Sequence, residues 1–191
     1  MKLIFASNNK NKIAEIKNQL PDNIEILSLE DIGCVIDIPE TSDTIEGNAI
    51  QKADFIKRHY GYDCFADDSG LEVDALNGAP GVYSARYAGP QRNDSDNIDK
   101  LLEELNGSTN RSANFKTVIA LHWKGELKLF TGIVDGEIMD SRNGSSGFGY
   151  DPVFKALGME KTFAEISMAE KNQISHRGKA VAELIRFLKS Q

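Results

Sequence analysis

Apolar positions recur along the chain in short runs whose spacing shifts between two and three-to-four, and each shift marks a change between strand and helix. Leu3 to Ala6 is a short apolar run that reads as a buried strand, followed at once by the polar run Ser7-Asn8-Asn9-Lys10-Asn11-Lys12. Ile13, Ile16 and Leu20 then keep helical spacing until Pro21 stops it. Ile24 to Leu29 alternates as a second strand, and Cys34 to Ile38 is a further apolar stretch ending at Pro39. Ala49, Ala53 and Ile56 form the buried stripe of a helix ended by Gly61, so Asn48 and Lys52 share a different face of it. Cys64-Phe65-Ala66 opens another apolar run that Leu71, Val73 and Ala75 continue in alternation, which places Asp67-Asp68-Ser69-Gly70 in an extended hairpin or bend.

The second half of the chain reads as hairpins and helices. Asn77 to Pro90 is a long loop dense in Gly and Pro, with Tyr83, Arg86 and Tyr87 suited to a subunit interface. Asp94 to Leu105 is an acidic amphipathic helix with Ile98, Leu101, Leu102 and Leu105 inward. Phe115 to Trp123 is a strand, Lys124-Gly125 turns the chain, Leu127 to Val134 returns, and Asp135-Gly136 signals a second tight turn before Glu137-Ile138-Met139. This meander makes the sheet mixed rather than wholly parallel. Met168 to Ile174 is helical, and Ser175 caps a last helix whose stripe is Val181, Leu184, Ile185 and Leu188.

Composition narrows the function classes. The chain has 191 residues, 40% hydrophobic and 27% charged, enough for one domain over 1–191 with a proper core. Its net charge of -7 argues against a nucleic-acid binder, while a small phosphate ligand stays open through local lysines, backbone N–H groups or a divalent metal. Cys34 and Cys64 form no C-x-x-C and read as reduced, buried thiols; His122 reads as a core or edge histidine. No segment resembles a signal peptide or a membrane span, and the expected location is cytoplasmic.

Four stretches carry candidate chemistry. Two adjacent carboxylates at Asp67-Asp68 beside an apolar run cost several kcal/mol without compensation, so either a cation site or a solvated turn explains them. The polar run after the first strand enters a helix, giving either an anion site with mobile charge from Lys10 and Lys12 or an ordinary capped start. Gly144 to Phe154 carries Gly144, Gly147 and Gly149, which let a backbone approach a ligand, and Phe148 and Tyr150 offer flat faces for a purine. Lys171, His176 and Arg177 gather donors at a helix entrance, favourable for an anion or a carbonyl oxygen.

Together these stretches resemble the inosine triphosphate pyrophosphatases, which hydrolyse non-standard purine nucleoside triphosphates. Ser7 to Lys12 with Glu15 resembles the family's phosphate loop, and FADDSGLEVDALNGAPGVYSARY from Phe65 to Tyr87 is nearly its signature. GFGYDPVF from Gly147 to Phe154, then Lys171 and Ser175-His176-Arg177, complete the order. The resemblance implies an α/β fold with an elongated mixed sheet flanked by helices, in two lobes with a nucleotide cleft between them, and a homodimer. It implies that Asp68 binds Mg²⁺ and activates water, that Ser69 contacts substrate, and that Ser7, Asn8, Asn9, Lys10, Asn11 and Lys12 hold the triphosphate. Phe148 would stack on the base, Gly149, Tyr150 and Asp151 would shape its pocket, and Lys171, His176 and Arg177 would direct donors at a 6-oxo group. The products would be nucleoside monophosphate and pyrophosphate, from ITP, dITP or XTP.

One position departs from the pattern. The family's metal-binding Glu before Asn-Ala is here Gly47, and Glu46 stands one residue earlier, roughly 100° round a helix. Glu46 is the assigned second metal carboxylate, with Glu40 or water as substitutes. The departure also supports a rival reading, a purine-nucleotide sensor that binds without turnover.

Overall fold

Leu3 and Phe5, then Phe65, supply the apolar surface on which the first half of the chain assembles in the computed structural model, which describes residues 2–191. Lys2–Phe5 (β1) pairs in parallel with both Glu25–Leu27 (β2) and Cys64–Val73 (β3). Ser112–Trp123 (β4), Glu126–Ile138 (β5) and Phe154–Ala156 (β6) complete a six-stranded sheet in the order β2-β1-β3-β4-β5-β6. β5 and β6 are antiparallel, so the sheet is mixed, as the hairpin signals require. The helices among the described residues are Lys10–Lys17 (α1), Ile45–Tyr60 (α2), Asp94–Glu104 (α3), Met168–Ile174 (α4) and His176–Lys189 (α5).

The chain forms two compact units. The first holds the residues up to Asp68, Thr117–Gly132 and Arg177–Gln191; the second holds Ser69–Lys116 and Ile133–His176. In the first unit Phe5 and Phe65 stack at 4.7 Å, sharing one sheet face with Leu3, Ile119 and Leu121. Ile16 of α1 and Ala180, Val181, Leu184 and Leu188 of α5 cover that face. Each fully buried side chain of this size contributes about 1.5–3 kcal/mol relative to exposure. Alternate residues point the other way, toward α2, where Cys64 Sγ donates to the Ala53 carbonyl at 3.3 Å. Burial pushes the Cys64 thiol up to about 12.

The second unit builds its own core from Leu71, Val73 and Phe115, from Ile98, Leu101 and Leu105 of α3, and from Phe154 and Phe163. The Phe115 and Phe154 rings meet edge to face at 4.6 Å. The long loop after β3 is ordered by two short 3-10 turns, Asp74–Leu76 and Gly81–Arg86, and by buried Ser84, whose hydroxyl accepts from Leu71 N at 2.9 Å.

Two local expectations change. Asp67-Asp68-Ser69-Gly70 is no bend, since β3 runs unbroken from Cys64 to Val73. Asp135-Gly136 is no turn either, since β5 continues through it and Gly136 pairs with Ala156. A Cβ on Gly136 would overlap the Lys155 carbonyl oxygen and stand 2.6 Å from Phe154 Cζ, so this glycine serves close approach rather than reversal. The true reversal is Lys124-Gly125, with both residues at positive φ, 48° and 88°, as a two-residue hairpin demands.

Candidate functional site

Asp67 and Asp68 occupy successive positions of β3 and therefore address opposite faces of the sheet. Asp67 is fully buried on the α1 and α5 side. Lys12 Nζ donates to its Oδ1 at 3.2 Å, and Arg177 Nε donates to its Oδ2 at 3.2 Å. Arg177 also donates through Nη1 to buried Glu15. Burial alone would raise the Asp67 pKa, but Lys12 and Arg177 overcome it and hold the carboxyl well below the usual range. The two carboxylates and two cations of this group are thus held as ion pairs.

Asp68 is 8% exposed and faces the α2 side. Lys52 Nζ stands 3.5 Å from its Oδ1 and also bonds Glu40, so two carboxylates meet at one ammonium. Asp68 Oδ2 is buried with no hydrogen-bond partner. Burial raises the Asp68 pKa, Lys52 and Lys12 oppose the rise, and the charges of Glu40 and Asp67 add to it. A carboxylate in this state is a better base than an ordinary aspartate. Glu46 lies half-buried in the first turn of α2, and Ser69 follows Asp68 along β3, also half-buried.

The polar loop after β1 is more tightly organised than its composition implies. Asn9 caps α1, its side chain accepting from Asn11 N at 3.0 Å and Lys12 N at 3.2 Å, while Ser7 Oγ accepts from Asn9 N at 3.2 Å. Asn8, Lys10 and Asn11 are exposed. Lys12 is not the mobile charge expected from the sequence, because Asp67 fixes it; burial lowers its pKa and Asp67 works against that.

In the second unit the glycine loop is pinned by carboxylates. Phe148 N donates to Asp151 Oδ2 at 3.0 Å and Gly149 N to Asp94 Oδ2 at 2.7 Å. Gly147, at φ 78°, passes so close to Asp151 that a Cβ there would overlap the carboxylate. Lys171 Nζ bonds Asp151 Oδ2 at 2.6 Å and lies 4.8 Å from the centre of the half-buried Phe148 ring. Tyr150 does not offer a free face: it is 3% exposed, its ring belongs to the core, and its hydroxyl donates to the Ser84 carbonyl at 2.8 Å. Lys171 pairs with Asp151, buried His176 stacks on Phe115 at 4.5 Å, and Arg177 pairs with Asp67 and Glu15.

Lys52 is the site residue that the motif reading passed over. Its signal was a lysine at i+4 from an asparagine on a helix whose remaining inward positions are Ala and Ile; Asn48 and Lys52 are both buried. Glu40 had no periodic signal at all, because its position depends on a non-repetitive segment.

Known proteins resemble this chain along nearly its whole length. The model of the Ham1 family matches residues 3–187. A dITP/XTP pyrophosphatase of Flavobacterium johnsoniae is 64% identical over 188 residues, covering 98% of each chain. The solved Staphylococcus aureus Ham1 protein superposes with a TM-score of 0.91 at 43% identity, covering 100% of this chain and 99% of that one. A HAM1 protein from Coxiella burnetii gives 0.92 at 40% identity, with 100% of both chains covered.

Proposed function

Since this chain belongs to the Ham1 family, we propose that it is a hydrolase that cleaves dITP and XTP, and by the same chemistry ITP, to the nucleoside monophosphate and pyrophosphate. The observation that carries the chemistry is Asp68, a buried carboxylate with a raised pKa and a buried oxygen lacking a hydrogen-bond partner. As general base it takes a proton from water while the water oxygen bonds to the α-phosphorus. The bond from that phosphorus to its bridging oxygen then breaks, and pyrophosphate leaves. Lys12, fixed by Asp67, and Lys52 offer positive charge that needs no reorganisation as the leaving group gains charge.

Mg²⁺ fits this site. Among the described residues no three His, Cys, Asp or Glu side chains are arranged to hold a metal. Mg²⁺, however, is commonly held by one or two carboxylates together with substrate phosphates. Asp68 and Glu40 would be that pair, because Lys52 ties Glu40 to Asp68, and Glu40 is preferred over Glu46 on this ground. Bound there, the ion would neutralise polyphosphate charge.

Ser7 to Lys12 would receive the triphosphate and Ser69 would contact substrate. Phe148 would stack on the purine, with Gly149 and Asp151 fixing its loop and Tyr150 supporting it from the core. Donors from Lys171, His176 and Arg177 suit inosine and xanthine, whereas the amino group of adenine would leave buried donors unpaired. Exposed Tyr83, with Arg86 over its ring at 5.1 Å, is a candidate surface for a homodimer. Among the described residues no helix is long and apolar enough to cross a membrane, and a cytoplasmic location is proposed.

The test is a panel of dITP, XTP, ITP, dATP and dGTP, assayed for pyrophosphate with and without Mg²⁺. Metal-dependent pyrophosphate release is expected from the deaminated purines, with dATP disfavoured by about 10⁴-fold in kcat/KM. A protein that bound ITP and left it intact would be a sensor instead.

A further inference from the structure

Residues 40–44 run antiparallel to the first two turns of α2 and are tied to it rung by rung. Glu40 bonds Lys52. Thr41 N donates to Gln51 Oε1, and Gln51 Nε2 returns a bond to Thr41 Oγ1, both at 2.9 Å. Ser42 N donates to Asn48 Oδ1 at 2.9 Å, and Gly47 N to the Thr44 hydroxyl at 3.0 Å. The last rung is one of shape. A Cβ on Gly47 would overlap Ser42 Oγ and lie 2.7 Å from Ser42 Cβ and 2.9 Å from Thr44 Oγ1. Turning the serine hydroxyl aside would not relieve this, because Ser42 Cβ is set by a backbone that Asn48 holds. Gly47 is not among the positive-φ residues, so its backbone does not require glycine.

We infer that Gly47 is a positioning residue: the space left by its missing side chain seats Ser42, and this seat fixes the strap that carries Glu40 to Lys52 and Asp68. The inference rests on the reading of Glu40 and Asp68 given above. It reverses the ordinary expectation for a helix, where Ala is favoured over Gly. With any side chain at 47, Ser42 must lift, and the carboxylate two residues before it moves with the strap.

The variants Gly47→Ala, Ser42→Gly and the double variant test this through two readouts. Amide exchange of Thr41 and Ser42, measured without substrate, is expected to quicken roughly tenfold or more in Gly47→Ala, while amides beyond Ala53 keep their protection. Turnover of dITP is expected to fall about 10- to 100-fold in kcat with a smaller change in KM, as for a displaced catalytic group. Adding Ser42→Gly removes the overlapping side chain and restores most of both. Unchanged strap exchange in Gly47→Ala overturns the inference, as does a loss that Ser42→Gly fails to relieve. Because exchange is read without turnover, it decides the seat even for a protein that releases no pyrophosphate, an outcome that would sink the proposed activity alone.

Discussion

Two aspartates side by side in β3 have opposite surroundings. Asp67 lies between Lys12 and Arg177, and Glu15 holds the far end of Arg177. Asp68 shares Lys52 with Glu40 and keeps one buried oxygen with no partner. Burial pushes both pKa values upward; on one face cations reverse the push, and on the other they do not. The difference teaches how one strand can carry an anion that cations satisfy next to one that keeps an unpaired oxygen, the state that the proposed reaction would use.

Replacing each residue in turn should pull the two faces apart. Asp68→Asn is expected to cost about 10²- to 10⁴-fold in kcat, the usual scale for a general base, while the melting temperature holds or rises. The sign follows from linkage: a carboxyl whose folded pKa is raised opposes folding once ionised, so neutralising it removes a cost. Asp67→Asn should do the reverse, destabilising the fold by roughly 3–5 kcal/mol in chemical denaturation because Lys12 and Arg177 lose their buried partner. A fully stable Asp67→Asn protein would break the comparison. Lys52→Met removes the ammonium from between Glu40 and Asp68, and a loss of about 1–3 kcal/mol in transition-state stabilisation is expected from kcat/KM.

The smallest effect is the most direct. In metal-free protein, a carboxyl-carbon NMR titration should place the Asp68 midpoint above the ordinary value of about 3.9 and Asp67 below it. Stability contributed by Asp67 is present above its unfolded pKa and is lost as pH falls toward its depressed folded value, so acid unfolding should begin below about pH 4.

Much of this arrangement was legible in the sequence. Helical and strand periods placed the buried stripes of α2 and α5, and the apolar run before Asp67-Asp68 marked two carboxylates that need compensation. What escaped was anything set by a contact distant in sequence. Tyr150 looks like an exposed aromatic until its hydroxyl finds the Ser84 carbonyl, 66 residues away. Lys171 looks like a loose cation until it meets Asp151, and Lys12 until it meets Asp67, 55 residues away. Glu40 has no local pattern, because it lies in a non-repetitive segment and meets Lys52 twelve residues on. Asp135-Gly136 imitates a turn because the same glycine that permits reversal also permits close approach.

That glycine has a consequence for the fidelity of folding. β6 has three residues, too few to select its alignment by hydrogen bonds alone, since neighbouring alignments offer similar ladders. Gly136 adds discrimination: sliding β6 by one position takes the Lys155 carbonyl and the Phe154 ring away from the side-chain-free position on β5 that admits them, and turns Phe154 and Ala156 out of the core. A single absent carbon atom thereby proofreads the pairing of the two strands.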